Sequence, residues 1–246
     1  MRDTLAASLC GLSLLAALAT VQAADGPPAA SQPKPTPAPA QIQPKLTYVP
    51  PLRGAPITRV GGASRGQTTE TLVLSVLAPE HTGFTSSAQP VLYWYVSKAV
   101  REPVEFTLND PKADSPVLEI PLKGPFGPGI HHLRLADYQL QPGIDYQWFI
   151  TLVPAAEQRA RDIIAGGTIR RTPPPPLLER RLQGADRRQL PALYAEQGFW
   201  YDAIAALSQL IDSNPGDKTL RGQRADLLEQ VGLAAAAAYD RHAAGP

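Results

Sequence analysis

Between positions 70 and 171 apolar residues recur at every second position, and this alternation narrows the folds open to the chain more than any other feature. Successive side chains of a strand point to opposite faces, so a period of two marks a strand with one face buried. Thr71–Ala78 is a first run, and in Val91–Ser97 Leu92, Trp94 and Val96 lie on one face with Tyr93 and Tyr95 on the other. Val104, Phe106 and Leu108 alternate, as do Leu118, Ile120 and Leu122. Leu133 and Leu135 follow, then Tyr146, Trp148, Ile150 and Leu152, and last Gly167–Arg171. Seven strands broken by turn residues, with no helical period among them, predict a two-sheet sandwich.

Leu140-Gln-Pro-Gly-Ile-Asp-Tyr146 resembles the tyrosine corner of fibronectin type III and related immunoglobulin-like domains. There the phenol bonds back to the backbone while its ring fills the core. Pro173–Pro176 then end the β region. Beyond them the period becomes helical: Leu190, Leu193 and Tyr194; Ile204, Leu207 and Ile211; Leu220, Leu227, Leu228 and Val231. Gly198 and Asn214-Pro215-Gly216 separate these helices. The expected fold is α+β and β-dominated: an immunoglobulin-like or fibronectin III-like β-sandwich followed by a three-helix C-terminal region.

The first two helices resemble a single tetratricopeptide unit through Leu190, Tyr194, Gly198, Ala203, Leu207 and Pro215, with Pro191 where that repeat prefers glycine. In that resemblance Gly198 lets the two helices approach and Ala203 sits at their crossing. A solenoid needs about three repeats. The hairpin is therefore expected to dock on the β-domain or to be capped by helix 217–231, with no repeat groove of its own.

The remaining segments read as follows. An apolar run from Leu5 to Ala19, with Val21-Gln22-Ala23 as small-residue exit, predicts a secretory signal over 1–23. That run is too short for a span, which takes about 20 residues, so no membrane span is expected in the mature chain. Cys10, the only cysteine, lies inside the signal, and Leu9 before it is wrong for a lipoprotein site. A mature chain without cysteine is held by its core and not by disulfides. Residues 24–69 form a disordered Pro-rich and Gly-rich arm, 70–171 the sandwich, 172–233 the hairpin and its capping helix, and 234–246 an Ala-rich tail. The arm carries the positive charge of a chain whose formal net charge is only +1. That balance argues against nucleic acid as a partner.

Several segments stand together in order: Gly61-Gly-Ala-Ser-Arg-Gly66, Leu74-Ser-Val-Leu-Ala-Pro79 with Gly83-Phe-Thr85, Pro90-Val-Leu-Tyr-Trp-Tyr-Val96, Tyr146-Gln-Trp148, and the stretch Leu193-Tyr-Ala-Glu-Gln-Gly-Phe-Trp-Tyr-Asp-Ala-Ile-Ala-Ala-Leu207. In this combination the chain resembles the bacterial domain-of-unknown-function family 928. The resemblance implies an exported β-domain with a C-terminal helical hairpin, in the periplasm or elsewhere in the cell envelope, and no activity.

No catalytic, cofactor or metal site is read from the residues. Gly62-Ala-Ser64-Arg-Gly66 has the letters of a nucleophile elbow but follows a proline arm and leads into a strand, where the elbow needs a strand before and a helix after. His81 and His242 stand in no recognisable setting; His131 and His132, adjacent on a strand, face opposite ways and cannot share an ion. Asp110, Asp114 and Asp145 sit at turns and serve the local backbone. The arginines Arg170, Arg171, Arg180, Arg181, Arg187 and Arg188 are the one ordered-looking charge concentration, a solvated face with some arginines pairing to acids of the β-domain or an anionic docking patch near the junction. Trp200, within Phe199-Trp-Tyr201, is a partner anchor or, as an isolated hairpin must bury something, core packing. The expected function is that of a non-enzymatic envelope module that contacts a protein partner. The alternatives are a glycan or small-ligand binder using Tyr93, Tyr95 and the 124–129 loop, and a serine hydrolase using Ser64.

Overall fold

The computed structural model describes residues 46–51, 62–63 and 71–245. The predicted signal with Cys10, most of the predicted arm and Ser64 lie outside the described residues. Among the described residues nine strands form two sheets. Gly62–Ala63 (β1), Val73–Val76 (β2), Val91–Val96 (β4) and Gly129–Arg134 (β7) make one, in the order β1-β2-β4-β7. Gly83–Thr85 (β3), Ile163–Arg171 (β9), Asp145–Leu152 (β8), Val104–Asn109 (β5) and Leu118–Leu122 (β6) make the other, in the order β3-β9-β8-β5-β6. All pairings are antiparallel except β3 with β9.

Register shows how the sheets meet. Val76 pairs with Trp94 and Leu74 with Val96, so these four share a face. A Cβ placed on Gly167 of β9 would lie 3.4 Å from the Val76 methyl and 2.5 Å from that of Ala78. That face is therefore the inner one, and it packs on Phe106, Tyr146, Trp148 and Ile150 of the second sheet. The tyrosine corner forms as its sequence predicts. The buried Tyr146 hydroxyl accepts from the Gln141 N–H at 3.2 Å and from the Tyr138 hydroxyl at 3.3 Å. Burial, and then that bond, push the Tyr138 phenol up to about 12.

Tyr93 and Tyr95 occupy the opposite face of β4, and this face is not open. Both are only 6% exposed, because the helices cover it. Among the described residues five α-helices follow the strands: Pro176–Gln183 (α1), Leu190–Glu196 (α2), Trp200–Ser213 (α3), Lys218–Gln230 (α4) and Ala234–Ala244 (α5). Three were expected. Helix α1 starts on Pro176 itself, a proline at the first helical position, where its missing N–H costs nothing. Its Leu-Leu-Glu-Arg-Arg sequence reads as charge and hides the period. The expected Ala-rich tail is α5, whose Ala236 and Ala237 are buried. Alanine is the best helix former but carries no apolar stripe to count. Tyr239 of α5 lies 5.8 Å from the Tyr95 ring.

The helices are joined to the sandwich by polar contacts inside the core. The Trp148 indole N–H donates to the Tyr201 hydroxyl (2.9 Å), which donates to the Thr168 carbonyl (3.0 Å). The Trp200 indole donates to the Leu77 carbonyl at 2.8 Å. Beneath Tyr93, Arg224 of α4 makes a two-toothed bond to Asp240 of α5 (2.6 and 2.7 Å) and donates to the Ser208 hydroxyl (2.9 Å). Asp240 is fully buried, and the pair meets the requirement that buried charge be matched and hydrogen-bonded.

Candidate interaction site

The site predicted from sequence does not assemble as a single patch. Arg170 pairs with Asp145 (Nε to Oδ1 2.8 Å) and its guanidinium lies 6.0 Å from the Phe84 ring centroid. Arg171 donates to the Leu140 carbonyl at 3.2 Å. Both therefore serve the sandwich itself, at the C-terminal end of β9. Arg180 is exposed on α1. Arg181 and Arg188 line one cavity of about 490 Å³ with Leu46, Leu193 and Glu196; Arg187 lines another of about 610 Å³ with Leu190, Ala206 and Leu210. Arg181 bonds Glu196 at 3.4 Å and Arg188 bonds Asp217 at 3.0 Å. Trp200 is not a surface anchor. It is fully buried, as core packing of an otherwise incomplete hairpin requires.

Histidines and aspartates also go to separate places. His131 and His132 pair with Trp94 and Tyr93, so they take opposite faces of β7 as predicted. Asp110 accepts from the Lys112 N–H within its turn. Among the described residues no group of three or more His, Cys, Asp or Glu side chains is placed to hold a metal ion. No described helix is long and apolar enough to cross a membrane. Asp202, not singled out from sequence, accepts from the Ser86 N–H (2.9 Å) and the Ser86 hydroxyl (2.6 Å). Burial pushes its carboxyl up, opposed by those bonds. The contact fastens the first turn of α3 to the end of β3.

What the structure does bring together is a piece of the arm and the helical layer. Residues 46–51 were expected to be solvated spacer, yet Leu46 and Tyr48 are buried while Thr47 and Val49 point outward. This is the alternation of an extended strand. The Gln230 side chain of α4 holds the backbone on both sides of Thr47, donating to the Leu46 carbonyl (2.9 Å) and accepting from the Tyr48 N–H (2.9 Å). The Val49 N–H donates to the Ala195 carbonyl at the end of α2 (3.0 Å). The Tyr48 ring sits edge-on to Trp200 with centroids 5.0 Å apart, and its hydroxyl meets His81 Nε2 at 2.8 Å. Burial raises the Tyr48 phenol and lowers the His81 imidazole, so the neutral forms prevail.

Gly198 shapes this cleft. Its φ of +80° is the left-handed region that closes α2. A Cβ there would stand 3.2 Å from the Val49 carbonyl oxygen and 3.3 Å from the Pro51 ring. The close neighbour that this glycine admits is the arm, where the repeat resemblance implies a partner helix. Leu46 and Tyr48 were legible only as two spaced apolar residues in a proline field, too short a signal to count as a strand.

Compared with protein-family models, residues 60–240 match the one described as Domain of Unknown Function (DUF928). The matched stretch holds Ala195, Gly198 and Gln230 of the cleft, while the segment 46–51 lies before it. No curated protein matches the chain.

Proposed function

We propose, from the premise that this chain belongs to the DUF928 family, that it is an exported, non-enzymatic interaction module of the cell envelope whose helical layer receives a protein segment. The observation that carries this reading is the extended stretch Leu46–Pro51, held by backbone bonds to Gln230 and Ala195 and by an aromatic side chain against Trp200. Recognition of peptides in extended form uses this division of labour, with main-chain bonds for affinity and alternate side chains for selectivity. The Pro-rich residues before it serve as the spacer, and the signal-like run at Leu5–Ala19 supports export.

The glycan reading keeps only the 124–129 loop, because Tyr93 and Tyr95 are covered by α3 to α5 and offer no stacking surface. The test is crosslinking of the tagged protein in its native envelope from photoreactive residues at Arg187 and Arg188. A protein partner captured from both positions is the expected result. Turnover of a substrate by the purified mature chain, abolished by one polar replacement or accompanied by fluorophosphonate labelling of Ser64, would overturn the proposal. Fractionation and N-terminal sequencing of the mature chain test export.

A further inference from the structure

The arm segment and its cleft form one docking pair. Every polar contact described above runs between Leu46–Val49 on one side and Ala195, Gln230 or His81 on the other. None of these contacts depends on the covalent path from Pro51 to β1, which takes ten intervening residues, 52–61. Pro50 and Pro51 stiffen the segment in extended form and lower the ordering cost of docking. The cleft is built for a backbone, since Gly198 leaves no room for a side chain where Val49 and Pro51 pass.

Resting on the interaction-module reading, we infer that this cleft is a peptide-binding site blocked in cis by Leu46–Pro51, and that its occupant in trans is the same segment of a second copy of this chain. That segment is the sequence whose fit the contacts display: Leu and Tyr two apart, then Val-Pro-Pro. Exchange of an identical element between copies keeps every contact and changes only the tether. In dilute solution the tether wins, because a short linker presents the segment at an effective concentration on the order of millimolar. Trans docking therefore takes over where copies are crowded or where the cis segment is released. The cis segment also masks the site, and apparent affinity falls in proportion to the fraction of clefts that are open.

The experiment uses the full chain and a labelled synthetic peptide spanning residues 45–52, read by fluorescence anisotropy. Tyr48→Ala weakens the resident segment and leaves the cleft intact. That variant should bind the peptide about tenfold more tightly than the unaltered chain, for a peptide Kd near one tenth of the effective concentration. Adding Gln230→Ala to it should abolish the gain, as should a peptide with the tyrosine replaced by alanine. A mixture of the Tyr48→Ala chain, with its open cleft, and a Gly198→Ala chain, with its free segment, should elute at twice the monomer mass, and neither should do so alone. A folded Tyr48→Ala chain that binds the peptide no better than the unaltered one overturns the inference. If Tyr48→Ala does not fold, a protease site placed within 52–61 of the unaltered chain replaces it. A cut arm that stays bound until excess peptide displaces it supports the inference, and one that excess peptide cannot displace overturns it. Failure here with a partner still captured from Arg187 and Arg188 removes only this inference; peptide binding without any envelope partner removes only the broader reading.

Discussion

Replacing Tyr201 by phenylalanine tests whether the sandwich and the helices share one core. The Tyr201 hydroxyl accepts from the Trp148 indole at 2.9 Å and donates to the Thr168 carbonyl at 3.0 Å, both inside the protein. Phenylalanine keeps the ring and deletes both bonds. The indole N–H is then buried without a partner, which costs about 1–3 kcal/mol, and loss of the Thr168 bond adds about 0.5–1.5 kcal/mol. The expected loss is about 2–4 kcal/mol. For a unit of this size that lowers Tm by roughly 10 °C, and with a urea slope of roughly 2–3 kcal/mol/M the midpoint falls by about 1 M. The assay is urea unfolding followed by tryptophan fluorescence and by far-ultraviolet circular dichroism. Because Trp148 belongs to the second sheet and Tyr201 to α3, one transition should move, seen alike by both probes with its slope unchanged. A double-mutant cycle with Trp148→Phe should show coupling of about 1–2 kcal/mol. A loss below about 0.5 kcal/mol, or two transitions of which only the helical one shifts, would refute the reasoning.

Three further outcomes follow from the same geometry. Asp240→Asn leaves Arg224 buried with half its partner gone and should cost about 3–5 kcal/mol in urea unfolding, whereas Arg224→Met with Asp240→Leu should cost less than the single change. Gly198→Ala should lose about 1–2 kcal/mol to backbone strain and also expose the arm to protease; Gly143→Ala, at the same φ of +80° but with nothing within 4 Å, should lose only the strain. His81 is held below its ordinary value of 6.5 by burial, so the unfolded chain binds its proton first as pH falls. Arm docking should be complete above pH 6.5 and weaken as pH drops through the lowered value, with protease release of the arm following the His81 titration seen by NMR and losing its pH dependence in His81→Gln.

Legibility of this fold tracked how many neighbours a residue needs before its role is defined. The sandwich strands were readable because alternation is a local signal: each of Phe106, Trp148 and Ile150 declares its face by its own two neighbours. The short strand β3 carries three residues, too few for any period, and its identity comes from pairing with β9 more than eighty residues later. Tyr93 and Tyr95 show a different failure. Their alternation with Leu92 and Trp94 was read correctly, but a period of two says only that two faces differ, not that one is wet. A sheet covered on both faces has buried residues throughout, as β4 does, and it is the packing of α3 to α5 over Tyr93 and Tyr95 that decides it. The arginines are legible in kind and not in detail: pairing of some to acids of the β-domain is expected and Arg170 meets Asp145, but the helical acids Glu196 and Asp217 reach Arg181 and Arg188 across 15 and 29 positions. The cleft sits at the far end of this scale. Gln230 reaches Leu46 and Tyr48 across more than 180 residues, so a glutamine with nothing unusual beside it became the clamp of the site, and no reading of local pattern could have singled it out.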